Sequence, residues 1–159
     1  MPINRKLQHL DSYVGTANLK DDSVTDAKLG ALVEKTAVFL YDFAVSGGAV
    51  SAITLTASDG TALSLPDNAI VSKVALDVVT ALASSGSATV GLGVVTDGAT
   101  NFKAATAFND GTLTAAAQVP FLPRVGKKLT ASRAVIATVG TAALTGGKFF
   151  LYVSYYEGN

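Results

Sequence analysis

The sequence predicts an all-β protein: an antiparallel β-sandwich of about eight strands, jelly-roll-like, carried behind an extended N-terminal arm. Three observations predict it. Ten of the chain's 12 basic and 12 acidic side chains fall before residue 37, and the 123 residues that follow are rich in Gly, Thr, Ala and Val. Short stretches with period-two alternation recur through that second part, separated by Gly, Ser and Asp turn signals. No stretch there carries a convincing helical period. The division is an arm, residues 1–36, and a sandwich domain, residues 37–159.

In the arm, Met1 to Asp11 is polar all round and could at most start a short helix. From Tyr13 to Lys35 the apolar positions Leu19, Val24, Ala27 and Leu29 stand apart and follow no sustained period. Such a segment buries too little by itself to offset its ordering entropy, so alone it should be extended or mobile. One helical turn fits Val24 to Leu29, with Ser23 or Thr25 as N-cap and Gly30 as the stop.

The strands follow. Ala37 to Val45 is aromatic and β-branched, and Ser46-Gly47-Gly48 turns the chain. Val50 to Ala57 alternates and leads into Ser58-Asp59-Gly60-Thr61, a hairpin signal of the Asp-Gly type. Leu65-Pro66-Asp67-Asn68 is a corner before a long strand, Ala69 to Leu82. There Ile70, Ser72, Val74, Leu76, Val78 and Thr80 are expected toward the core. Ser84 to Ser87 turns, Ala88 to Val95 returns, and Thr96 to Asn101 reads as a loop. Phe102 to Thr114 is ambiguous between short strands and an irregular turn. Val119-Pro120-Phe121-Leu122-Pro123 can only be an edge or a corner, because proline removes a ladder donor. Leu129 to Val139 alternates again. Thr145-Gly146-Gly147 is expected to turn into the last strand, Lys148 to Tyr156. In that strand Phe149, Leu151, Val153 and Tyr155 face the core, and Phe150, Tyr152, Ser154 and Tyr156 face outward.

Composition removes several function classes. The chain has no cysteine and a formal net charge of zero. Disulfide and thiolate chemistry are therefore out of reach, and non-specific attraction to nucleic acid or anionic lipid is not expected. No stretch approaches the 18 apolar residues of a membrane-spanning helix. The first residues lack the apolar run of a secretory signal, which points to synthesis in a cytoplasm. Charged residues make up 15% of the chain, against about 25% in typical domains. Either Thr, Ser, Asn and Gly keep the surface wet by themselves, or part of that surface is buried against other subunits. The second is favoured, because exposed apolar area of this kind marks interfaces.

No constellation for catalysis is present. His9 is the only histidine and lies in the arm, so neither a serine triad nor a structural zinc site can be assembled around it. Asp97 to Asn101 has oxygen ligands but lacks the later carboxylates of a calcium loop. Gly91-Leu92-Gly93 is followed by Val94-Val95 and not by a helix, so it is not a dinucleotide loop. Asp21, Asp22 and Asp26 read as a solvated cluster, and Arg124, Lys127 and Lys128 as a basic rim. Asp42, Asp59, Asp67, Asp77 and Asp97 have no spacing that forces any two together. The reading is no enzyme, no catalytic residue, no metal and no cofactor. The outward row of the last strand, Tyr152 and Tyr156 in particular, fits a subunit interface, where Tyr is enriched, and equally a sheet whose two faces are both covered within one chain.

Gly15 to Leu29, with Leu19, Val24-Thr25 and Lys28-Leu29, resembles a short motif near the start of tailed-bacteriophage fibre and head-fibre proteins. Leu65-Pro66 and the closing stretch Ala143 to Val153 look like the β-sandwich of small phage virion proteins, among them capsid decoration (cement) proteins. The resemblance implies a structural protein, a homotrimer, that sits on or between capsid subunits in the virion, with the major capsid protein as partner. It carries no active site over. With no shaft or receptor-binding tip following, it favours a decoration protein over a fibre. Partner contacts are then expected at Leu19, Val24, Lys28 and Leu29 in the arm and at Tyr152 and Tyr156. The alternative is a head-fibre or tail-fibre base module that binds a host surface or glycan. No residue pattern supports a glycan site.

Overall fold

Aromatic and β-branched residues open the domain with β1 (Lys35–Asp42), which starts two residues before the expected boundary. The computed structural model describes residues 33–96, 98–114, 118–121 and 128–158. The expected helical turns of the arm lie outside these. Asp42 then stops the strand, because its carboxylate accepts the Ala44 N–H at 3.0 Å and caps a single helical turn, α1 (Phe43–Ser46). That turn was not legible as a helix. The strands that follow are β2 (Ala52–Thr54), β3 (Thr56–Ala57), β4 (Ser64–Leu65), β5 (Ala69–Ser84), β6 (Thr89–Val94), β7 (Gly98–Ala107), β8 (Gln118–Phe121), β9 (Arg133–Gly140) and β10 (Leu144–Glu157).

All their pairings are antiparallel, and they form two sheets, β3-β1-β10-β5-β8 and β2-β9-β6-β7, with β4 added to β9. Counting only β1, β2 and β5 to β10 as the main strands, the orders are 1-8-3-6 and 2-7-4-5. That is the strand order of a jelly roll, two Greek keys wound together. The fold class is therefore the expected one. The inner faces meet in one core, to which Phe39, Tyr41, Leu76, Phe149 and Leu151 contribute from the first sheet, and Val90, Leu92, Val135 and Val139 from the second.

Five local readings change. The stretch Val50 to Ala57 is not one strand: β2 and β3 lie in different sheets. Leu55 marks the crossing, fully buried, with its N–H given to the Val135 carbonyl at 2.9 Å. In β5 the inward residues are Ala69 and Val71, then Val74, Leu76 and Val78, so Ile70, Ser72 and Thr80 are not on the core face. The cause is two bulges, one at Val79, where β10 pairs Lys148 with Thr80 and Phe149 with Val78, and one at Ser72. β10 pairs Ser154 with Lys73 and Tyr155 with Val71, which leaves Ser72 without an opposite residue and reverses the alternation on either side of it. The residues read as a loop at 96–101 belong largely to β7 from Gly98 onward. The ambiguous 102–114 finishes β7 at Ala107 and then turns. Gly146 and Gly147 do not turn the chain but continue β10, and the turn lies at 141–143, where Thr141 takes φ +68°.

Gly147 has a specific reason to be glycine. Its φ is +127°, and a Cβ there would lie 2.3 Å from Leu82 Cδ2 and 2.9 Å from Leu82 Cα. Gly147→Ala is expected to destabilise by about 3 kcal/mol, combining backbone strain with an overpacked contact. A urea melt that moves by less than a third of that would show that β10 can shift away from β5 here.

Tyr41 gives a pH signature. It is fully buried, and its hydroxyl donates to the Gly47 carbonyl at 2.9 Å. Burial, with a smaller contribution from the Asp42 charge, pushes its phenol from 10.0 up to about 12. Above pH 10 the unfolded chain releases this proton while the folded chain keeps it, so stability falls as pH rises from about 10 to about 12. The loss reaches about 2 kcal/mol at the upper end. Tyr41→Phe is expected to remove this part of the alkaline loss, at a cost of about 1 kcal/mol at neutral pH for the missing hydrogen bond. Denaturant titrations of both proteins at pH 8 and pH 11 check it.

Candidate partner-binding face

The candidate site is the outer face of the first sheet. On the inner face, β10 presents Phe149, Leu151 and Val153, all fully buried. Because side chains alternate along a strand, the residues between them point the other way. The strand register arranges these outward residues in four rungs across β1, β10 and β5. Asp42 lies opposite Lys148. Leu40 lies opposite Phe150, which lies opposite Asp77. Val38 lies opposite Tyr152, which lies opposite Ala75. Thr36 lies opposite Ser154, which lies opposite Lys73. Each rung is two residues from the next, so the four cover about 20 Å of the sheet.

The chemistry of the rungs is graded. Both ends are polar, and between them Val38, Leu40, Ala75, Phe150 and Tyr152 form a partly exposed apolar patch, with Asp77 closing the Phe150 rung on the β5 side. An apolar centre inside a polar rim is the anatomy of a protein–protein contact surface. Tyr156, 36% exposed, continues the outward side of β10 beyond the last rung.

At the first end, Lys148 Nζ and Asp42 Oδ2 form an ion pair at 2.9 Å. The lysine hydrogen bond, then the Ala44 N–H, hold the Asp42 carboxyl below its usual range. Beside this pair is a cavity of about 280 Å³, lined by Leu40, Val45 and Ser46 on one side and by Thr56, Ser58 and Asp59 on the other. Asp59 is fixed by the N–H and the hydroxyl of Thr61, at 2.9 and 2.6 Å, and these lower its carboxyl. Val45 stands at the rim of this cavity, 80% exposed. Of the five carboxylates considered from sequence, Asp42 and Asp59 are brought to one cavity, where Asp42 is already paired. Asp67 and Asp77 are not among its lining residues, and Asp97 lies outside the described residues.

At the opposite end Glu34 sits over the sheet. Its carboxylate bonds the Ser72 hydroxyl and approaches Lys73 Nζ at 3.5 Å. The serine first and the lysine second hold the Glu34 carboxyl low. The Ser72 bulge makes this possible, since its hydroxyl also reaches the Ser154 carbonyl at 3.0 Å, while Thr36 and Ser154 share a hydroxyl contact at 3.0 Å. Ser154 is left 3% exposed beneath this cluster.

Of the residues expected to meet partners, Tyr152 and Tyr156 are therefore on this face. Leu19, Val24, Lys28 and Leu29 lie outside the described residues, as do His9, the Asp21, Asp22 and Asp26 cluster, and Arg124 and Lys127. Sequence reasoning missed Val38, Leu40, Ala75 and Glu34. The alternation of β1 could have offered the first two, but Ala75 and the Glu34 contacts depend on the order of strands. Among the described residues no three His, Asp or Glu side chains gather as metal ligands.

No protein-family model matches the chain, and no curated protein matches it. Its fold, in contrast, is found in solved structures of phage capsids. A chain of the cyanophage Pam1 capsid asymmetric unit matches with a TM-score of 0.58 and 19% identity, over 92% of this chain and 99% of that one. A chain of the Ralstonia phage GP4 capsid matches with a TM-score of 0.57 and 19% identity, over 88% and 92%. A chain of the acid-stable capsid of Helicobacter pylori bacteriophage KHP30 matches with a TM-score of 0.52 and 20% identity, over 78% and 87%. The Pam1 match runs nearly end to end in both chains, so the two are of about equal length.

Proposed function

We propose that this chain is a bacteriophage virion protein that decorates the capsid and stabilises it, binding as a homotrimer across subunits of the major capsid protein. The observation that carries the proposal is the nearly end-to-end likeness to a chain of similar length from a phage capsid. The graded outer face supports it, because an apolar patch with an ion pair at either end suits contact with protein better than a small substrate. The arm, with Leu19, Val24, Lys28 and Leu29, is the second contact in this reading, and Tyr152 and Tyr156 the first. No catalysis and no cofactor are involved, and the chain is made in the host cytoplasm before it joins the shell. Many weak contacts repeated over a closed shell give large avidity, so no single contact has to be strong.

The test is co-sedimentation of the purified full chain with shells that lack it. The proposal expects saturable binding in a fixed ratio to the major capsid protein, and absence of binding at micromolar chain contradicts it. Light scattering of the free chain is expected to give about three times the 16.1 kDa protomer mass, and a monomer at all concentrations would remove the trimer. The second reading, a fibre-base module binding a host surface or glycan, is favoured only by the cavity beside Asp42 and Asp59, whose carboxylates and hydroxyls could hold sugar hydroxyls. Retention of the full chain on host cells, lost in Asp59→Asn, would support it.

A further inference from the structure

We propose that Lys103 keeps the edge of β7 closed to a second copy of this chain, so that removing its charge lets two copies join β7 to β7. Among the described residues each sheet has two end strands, and three of the four have an evident reason not to take another strand. β2 and β3 are three and two residues long. β8 is four residues long and carries Pro120, which has no N–H to give. β7 runs for ten residues, and among the described strands it pairs with β6 alone. Its exposed side chains at Ala104, Ala105 and Ala107 are too small to keep a strand away. A long edge of this kind is a template for further pairing unless something blocks it.

Lys103 stands at that edge. The register sets it opposite Leu92, which lies opposite Ala137, and both of these belong to the core, so the lysine is on the inner face of its sheet. It is 7% exposed. Its ammonium donates to the Thr106 hydroxyl and reaches the Ala104 carbonyl at 3.5 Å, so both partners are on β7 itself. It makes no ion pair among the described residues. Burial pushes its amine below the usual lysine range, with Asp110 acting the other way. An inward charge without an ion pair adds little to stability, but it makes a further strand costly. A strand laid along β7 would cut off the water that the ammonium still meets at the edge. A second β7 brings a second Lys103 and no carboxylate to replace that water. The register against β6 also slips on both sides of Leu92, which bends the same stretch. Bulges and an inward charge are both means by which exposed edges resist pairing. The inference does not rest on the virion reading: it concerns the free chain, and β7 lies in the other sheet from the candidate partner face.

The test is sedimentation velocity of the full chain with three substitutions, each first checked for a cooperative melt. Lys103→Leu removes the charge and keeps most of the side chain's length. It is expected to form species larger than those of the wild-type chain, at a concentration at least about tenfold lower than any at which the wild type does so. Lys103→Gln, which can still bond Thr106, is expected to do the same, and it carries the test if the leucine variant does not fold. Lys103→Arg keeps the charge and is expected to sediment as the wild type. Hydrogen exchange locates the contact, with the amides of residues 101–107 gaining protection as the uncharged variants associate. Folded uncharged variants that sediment as the wild type overturn the inference. So does association of the arginine variant to the same extent, or association that leaves the β7 amides as exchangeable as before.

Discussion

Phe149→Ala is expected to destabilise the chain by about 4 kcal/mol, with about 1 kcal/mol more from the lost ring pair. Phe149 is fully buried at the centre of the first sheet. It pairs with Tyr41 in β1 and Val78 in β5, and its ring stacks on that of Tyr41 with centroids 5.1 Å apart and planes 24° apart. Removing it opens a cavity between strands tied on both sides, which leaves little room for collapse. Against a total stability of about 5–15 kcal/mol, this is a large share. Phe150→Ala, one residue along and on the outer face, is expected to cost under about 1.5 kcal/mol. Thermal melts of the two variants side by side test the assignment of faces. Equal losses would mean that the outer row is as buried as the core.

The second large effect is functional. A chain beginning at Val33 retains β1 and the Glu34 contacts but loses Leu19, Val24, Lys28 and Leu29. It is expected to fold, with a cooperative melt, and to lose association with shells at least about a hundredfold, since one of two linked contact regions is gone. Circular dichroism separates a folding defect from a binding defect. A folded truncation that still decorates shells at full occupancy would remove the arm from the capsid contact.

These two expectations differ in how far the sequence alone could reach. The faces of β10 were legible because Phe149, Leu151 and Val153 alternate with the amphipathic row Lys148, Phe150, Tyr152 and Ser154, and a period of two needs no knowledge of the rest of the fold. β5 was not, although its sequence alternates just as regularly. Bulges at Ser72 and Val79 shift the pattern, and they are set by register against β10, a strand far away in sequence. Val50 to Ala57 was read as one strand for a similar reason: the crossing between sheets at Leu55 shows only once β2 and β3 find different partners. Gly146-Gly147 carries the composition of a turn, yet Gly147 is glycine because Leu82 passes so close. Pro120 was correctly restricted to an edge strand, β8, because that rule concerns one residue's missing donor.

The candidate face divides in the same way. Tyr152 and Tyr156 could be named from the strand that contains them. The rungs that flank them could not, because Val38, Leu40 and Ala75 reach the face through the order β1-β10-β5. Glu34 had been grouped with the arm on charge density alone. Its contacts with Ser72 and Lys73 make it the point where the arm is fastened to the sheet.

The most direct measurement of the central claim is the position of the chain in purified phage particles, by electron cryomicroscopy. The account predicts the jelly roll at many symmetry-equivalent positions on the outside of the shell, with β10 and the arm toward neighbouring subunits. Shells that carry no copy of the chain, or copies confined to a tail or a single vertex, would contradict it.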